Sequence, residues 1–239
     1  MKNSAPVDRI SNLPDELLCH ILSFLPIKIA FKTRVLSKKW APLCKSLTSL
    51  NFDDKSVYGE HALLRFCRLV DTVMLSHKLI KKFHLKCGSV HWDCFKVDSW
   101  IEIAKRHPLE NLCISCCYQL ILDGRSIFNF PTLVVLKLTT LKVAGNISVN
   151  LPSLKTLYLD QVYFKNKENF SKLLSGCPIL EDLYTRIHYP GQDKGVSTEG
   201  FQTLNKLIRA NIRAFDVPFK AIHTVQFLIV AVIGLIPSQ

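Results

Sequence analysis

From Ile80 onward one short apolar alternation keeps returning: IKKFHL, LENLCIS, LVVLKLT, LKTLYLD and LEDLYTR, each close to L-x-x-L-x-L. The leading residues Leu109, Leu133, Leu154, Leu180 and, more loosely, Leu204 stand 24, 21, 26 and 24 residues apart. Pro108, Pro131, Pro152 and Pro178 precede four of the units at a similar offset. Self-similarity at a period of roughly 20–29 residues marks a stacked repeat. One such unit cannot bury its own apolar face. Neighbours must stack, so that their strands form a parallel sheet over a continuous core with capped ends. Helix candidates, VDSWIEIAKRH and ENFSKLLSGC, fall between strands. An ordinary α/β domain with leucine-rich strands is the alternative, but it does not account for the fixed period.

In each predicted strand the leucines point inward and the residues between them point to the opposite, concave face. On that face the pattern puts the basic residues Lys82, Lys86, Lys137 and Arg186, with His84, Tyr158, Asp160 and Tyr184 among them. Mixed basic, acidic and aromatic groups suit recognition of a protein surface or an acidic ligand better than catalysis.

The residues before the repeats read differently. Residues 1–7 are a loose end, and 8–50 form a compact three-helix unit. Residues 51–78 are a helical linker or cap with a helix over Ala62 to Leu75. The repeats occupy 79–215, and 216–239 hold a strand and an apolar tail. Pro14 suits the first helical position. Asp15 and Glu16 follow at the positive end of the helix dipole. Leu17, Leu18, Ile21, Leu22 and Leu25 then recur at helical spacing. A second helix is expected over Ile27 to Val35, and a third from an N-cap at Ser37 through Trp40 toward Leu47. Leu17 and Leu18 are adjacent, as are Ile21 and Leu22, so they cannot all enter one small core. Part of this surface should be covered by another protein.

Composition narrows the function. Lys plus Arg total 31 against 19 Asp plus Glu, a net charge of +12. These residues are scattered without a long basic tract, which points to solvated faces rather than to a nucleic-acid site. Nucleic acid or an acidic ligand stays open as the alternative to a protein partner. The N-terminus, MKNSAPVDRISNLPDE, holds no apolar secretory segment, and the 9 cysteines are an odd number. Reduced thiols and a place in the nucleus or cytoplasm are expected. The run FLIVAVIGLI has ten residues, where a membrane-crossing helix needs about 20. No membrane association is expected. Cys113, Cys116 and Cys117 could join Cys87, His91 and Cys94 in a metal site, but a cysteine in a strand is more simply core packing. The chain has no nucleotide-binding or hydrolase signature. No cofactor, metal or catalytic residue is expected.

The segment LPDELLCHILSFLP followed by VLSKKW resembles the F-box, over roughly residues 8–47. With the leucine-rich repeats and the phrases VDSWI, CPILEDL, NKLIRANI and VPFKAIHTVQFL, the chain is similar to the plant F-box/leucine-rich-repeat proteins, of the FBD-associated type. That resemblance implies an α + α/β protein: a three-helix F-box, then a short solenoid with a parallel sheet. It implies a non-catalytic receptor subunit of a Skp-cullin-F-box ubiquitin ligase. The F-box would dock on a Skp-type adaptor and through it on a cullin, and the repeats would hold a protein substrate. Leu13, Pro14, Leu17, Leu18, Ile21, Leu22, Leu25, Val35 and Trp40 match the family's apolar F-box positions, shared between adaptor and core. Cys44 stands where many relatives carry a second tryptophan, which implies a weaker adaptor contact there. Relatives usually continue with further repeats and a C-terminal domain. The resemblance therefore implies a shortened product, either a receptor without its proper end cap or a decoy that occupies the adaptor.

Overall fold

The computed structural model describes residues 9–55, 57–88, 94–190, 200–214 and 216–231. Three helices come first: α1 (Asp15–Ser23), α2 (Ile27–Lys32) and α3 (Trp40–Lys45). Pro14 is the N-cap of α1, one position earlier than the sequence suggests, and Asp15 and Glu16 fill the first turn. The second helix tightens into a 3-10 turn over Thr33–Val35. The third begins at Trp40, not after Ser37. Lys39 precedes it with no side-chain cap, and the Ser37 hydroxyl lies 3.4 Å from that of Ser11. Lys39 is held instead by the carbonyls of Ser11 (3.0 Å) and Leu13 (2.7 Å). This fastens the start of α1 to the start of α3.

The described residues after α3 form one parallel sheet of eight strands in sequential order. The strands are β1 (Ser49–Asp53), β2 (Lys82–Cys87), β3 (Asn111–Asp123), β4 (Val135–Ala144), β5 (Thr156–Tyr163), β6 (Asp182–His188), β7 (Arg209–Arg213) and β8 (Phe227–Ala231). Helices α4 (Glu60–Ser76), α5 (Cys94–Ala104) and α6 (Lys167–Ser175) lie in the connections. A parallel pair requires a crossover, and the repeat provides one between each strand and the next.

One set of hydrogen bonds runs through every repeat. The carbonyl just before a strand accepts from two successive amides of the following unit, at 2.8–3.1 Å. Thr48 accepts from Lys81 and Lys82, Lys81 from Glu110 and Asn111, and so on to Ile208, which accepts from Gln226 and Phe227. Register follows from this. Leu50, Phe83, Leu112, Leu136, Leu157, Leu183, Ala210 and Leu228 stand in one row.

Two readings change as a result. The sheet starts at Ser49, within LTSLNF, where phenylalanine in place of leucine hid a first unit of Leu47, Leu50 and Phe52. All three are buried. The last complete repeat is led by Leu207, not Leu204, because Ala210 and Ile212 pair with Leu183 and Thr185. Leu204 is also buried but precedes the turn.

The interior is one continuous apolar cluster from Leu18 of α1 to Ile222 before β8. The helical unit and the sheet share it. The Trp100 indole donates 2.7 Å to Asp71, which docks α5 on α4. Where strands β4 and β5 leave their straight portions, Thr140 and Gln161 take φ of +54°. They stand opposite one another and are skipped without a change of register between β4 and β5, whereas against β6 Gln161 has no counterpart and forms a bulge. Among the described residues no helix is long and apolar enough to cross a membrane. The apolar C-terminal run begins with β8, and its remainder lies outside the described residues.

Candidate functional site

Two surfaces hold the residues singled out from the sequence. The first is the outer face of α1. Leu18 and Leu22 are 0% and 1% exposed, whereas Leu17, Ile21 and Phe24 are 51%, 44% and 69% exposed. The exposed three are spaced four and three residues apart and so share one face of the helix. Leu13 and Leu25 are partly buried against the core, and Pro14 is exposed. Val35, just before α3, is 87% exposed, with Leu36 also open.

Trp40 belongs to the interior. It is 3% exposed, and its indole N–H donates 2.9 Å to the Ser11 hydroxyl. Leu18, Leu22 and Trp40 thus hold the helices together, and Leu17, Ile21 and Val35 are left exposed. Phe24 was missed from sequence because it falls outside the i, i+4 pairs of leucines. Cys44 is fully buried and its thiol donates 3.1 Å to the Ala30 carbonyl. The missing tryptophan therefore alters the core of this unit and does not open a gap on its surface.

The second surface is the open face of the sheet, the one expected to be concave. Strand burial alternates as the repeat predicts, so Lys82, His84 and Lys86 of β2, Lys137 of β4, Tyr158 and Asp160 of β5, and Tyr184 and Arg186 of β6 share it. In the middle row His84, Cys113, Lys137, Tyr158, Tyr184 and Asn211 are aligned across neighbouring strands. The Tyr158 and Tyr184 rings stack at 4.1 Å between centroids, and the Arg186 guanidinium lies 5.6 Å from the Tyr184 centroid. Burial, reinforced by Asp160 and Tyr184, pushes the Tyr158 phenol up to about 12, so it stays a hydrogen-bond donor. One Asp160 oxygen, Oδ1, is buried without a hydrogen-bond partner.

A depression of about 310 Å³ opens between β4 and β8, walled by Tyr158, Tyr184, Phe227 and Ile229. At its rim Arg209 grips Asp182 with two hydrogen bonds, the Nη2–Oδ2 one at 2.8 Å. Sequence reasoning missed Arg209, Phe227 and Ile229 because the last two repeats depart from the leucine pattern.

At the other end of this face, the His84 ring lies 3.1 Å from the Asn111 side-chain oxygen. Burial first, then the charges of Lys82, Lys137 and Lys86, push its pKa below 6.5. Burial raises the Cys113 thiol, against the pull of Lys137 and Lys86. Cys113 is half-buried on the open face, where strand alternation puts it, and does not pack in the core. Cys87 and Cys116 are buried partners on adjacent strands, and Cys117 is exposed. Asp54 is buried and accepts the Gly88 amide at 2.6 Å. Among the described residues no three His, Cys, Asp or Glu gather as a metal site. His91 lies outside the described residues.

Two family models match parts of the chain. The F-box domain model covers residues 10–52, and a Leucine Rich Repeat model covers 153–178. The chain is 38% identical over 186 residues to an F-box/FBD/LRR-repeat protein of Arabidopsis thaliana, covering 74% of this chain and 40% of that protein. It is 40% identical over 191 residues to an F-box/LRR-repeat protein of the same plant, covering 74% and 36%. It is 36% identical over 192 residues to an FBD-associated F-box protein, also from Arabidopsis thaliana, covering 77% and 46%. The chain thus spans less than half the length of these curated relatives.

Proposed function

The chain carries an F-box joined to leucine-rich repeats of the plant type, and from that premise we infer that it is a substrate-recognition subunit of a Skp-cullin-F-box ubiquitin ligase. The F-box docks on a Skp-type adaptor, and the adaptor ties it to the cullin. The open face of the sheet holds a protein substrate. The chain itself is non-catalytic: it raises the local concentration of a substrate lysine at the ubiquitin-charged enzyme. Its workplace is the nucleus or cytoplasm, where reduced cysteines persist.

The observation that carries this reading is the split of α1. Leu18 and Leu22 complete the core, while Leu17, Ile21 and Phe24 present an uncovered apolar stripe. Isolated exposed hydrophobic residues are ordinary, but an aligned set marks an interaction face.

The test is binding of the purified chain to a Skp-type adaptor, followed by calorimetry and size exclusion. Wild type is expected to form a 1:1 complex. Leu17→Asp/Ile21→Asp should weaken it about a hundredfold or more, as loss of a buried anchor pair does, with an unchanged thermal midpoint. Binding that survives the double change removes α1 as the dock. A folded wild-type chain that does not bind overturns the receptor reading.

A further inference from the structure

The open face of the sheet is polarised along its length. Lys82, Lys86 and Lys137 stand over β2 to β4, with Lys137 also at the near wall of the depression, and none of them is in an ion pair among the described residues. Their charges converge on His84 and reach Cys113. Asp53 on β1 borders this pole, in register with Lys86, and holds the Lys55 amide at 2.8 Å.

Toward β8 two of the basic residues are held by carboxylates, and the exposed Arg186 lies 5.6 Å from the Tyr184 ring centroid. Arg209 is paired with Asp182, and Arg213 with Asp216. What faces solvent there is the stacked tyrosine pair and the exposed side chains of Phe227 and Ile229 around the depression. At one end Asp53 is the neighbouring carboxylate and three lysines are without an ion pair among the described residues, and at the other an apolar depression is open.

Taking the open face as the substrate-binding one, as above, we propose that it recognises a bipartite peptide segment. The segment lies extended across the strands. An anionic side chain sits over Lys82, Lys86 and Lys137, and a large aliphatic or aromatic side chain enters the depression beside Tyr158, Tyr184 and Ile229. Neighbouring strands lie about 4.8 Å apart, so β3 to β6 spans about 14 Å, the length of about four extended residues. The two anchors are therefore about four residues apart in the partner. A nucleic acid fits less well. Its regular phosphates would run from three lysines onto Asp160 and an apolar floor.

The test is selection of displayed random dodecapeptides on the full chain, immobilised through an N-terminal tag so that adaptor docking plays no part. Enrichment of Asp or Glu about four residues from Phe, Tyr, Leu or Ile is expected. Lys86→Glu/Lys137→Glu should weaken the best peptide about tenfold or more and turn the selected charge from acidic to basic. Tyr158→Ser/Ile229→Ser should remove the apolar preference and leave the acidic one. Lys86, Lys137 and Ile229 are exposed and Tyr158 is half-buried on the open face, and thermal midpoints equal to wild type verify the fold of both variants.

Synthetic copies with phosphoserine in place of the acidic residue separate the two sources of negative charge, and tighter binding names a phosphorylated partner. No enrichment over bare matrix, or an acidic preference that survives the double lysine change, overturns the proposal. So does equal displacement by a single-stranded oligonucleotide. Selected peptides that cross-link away from the open face overturn the reading of that face itself, whatever the adaptor measurement gives.

Discussion

Leu17 and Leu18 are identical neighbours with opposite consequences. Leu18 is fully buried, so Leu18→Ala should cost about 2–5 kcal/mol of stability, the loss for a core leucine whose site cannot collapse. Leu17→Ala should stay within about 0.5 kcal/mol. Urea denaturation of the two variants side by side checks this. The distinction also decides how the dock is probed, because a charge at position 18 would unfold the helices and say nothing about a partner. His84 makes a second case. It faces Lys82 and Lys86 on its own strand, Asn51 and Asp53 on β1, Asn111 and Cys113 on β3, and Lys137 on β4. Its folded pKa is below the 6.5 of the free side chain, through burial first and the lysines next. The unfolded chain therefore binds the proton more readily. This residue's contribution to stability is present above pH 6.5 and is lost as the pH falls through the folded value. His84→Gln should flatten that part of the pH dependence in thermal denaturation at pH values on either side of 6.5.

At the scale of elements, the repeat tolerates irregular connections as long as backbone contacts between units are kept. Gly176 closes α6 with a negative φ of −80°, so its selection reflects space and not conformational freedom. A Cβ there would overlap Val149 Cγ1 and lie 2.9 Å from Val149 Cβ. Gly176→Ala should destabilise by about 1–3 kcal/mol, the usual cost of overpacking, read from the denaturation midpoint. The third helix shows the limit of local signals. Ser37 has the side chain of an N-cap, yet the helix starts at Trp40 with Lys39, bonded to the carbonyls of Ser11 and Leu13, at the cap position.

At the scale of the molecule, the helical unit serves as the end cap of the sheet. Helices α1 and α2 pack on β1, and Leu50 and Phe52 are fully buried within the shared cluster. Removing residues 1–48 should uncover that strand. A thermal midpoint lower by about 5 °C or more and self-association are expected in calorimetry and light scattering. An unchanged midpoint would separate the two parts. The sequence by itself determined the period, the strand positions from Lys82 through Arg186 and the choice of residues on the open face. Strand alternation has a period of two, and a leucine on the wrong face would break the stack. It also established that α1 has more apolar surface than a small core can take. Only the tertiary structure decided which leucines those are, because both sides of the helix carry the same residue type. It likewise brought Arg209, Phe227 and Ile229 to the tyrosine pair. Their place depends on register set by backbone hydrogen bonds between repeats, and no side-chain pattern encodes that.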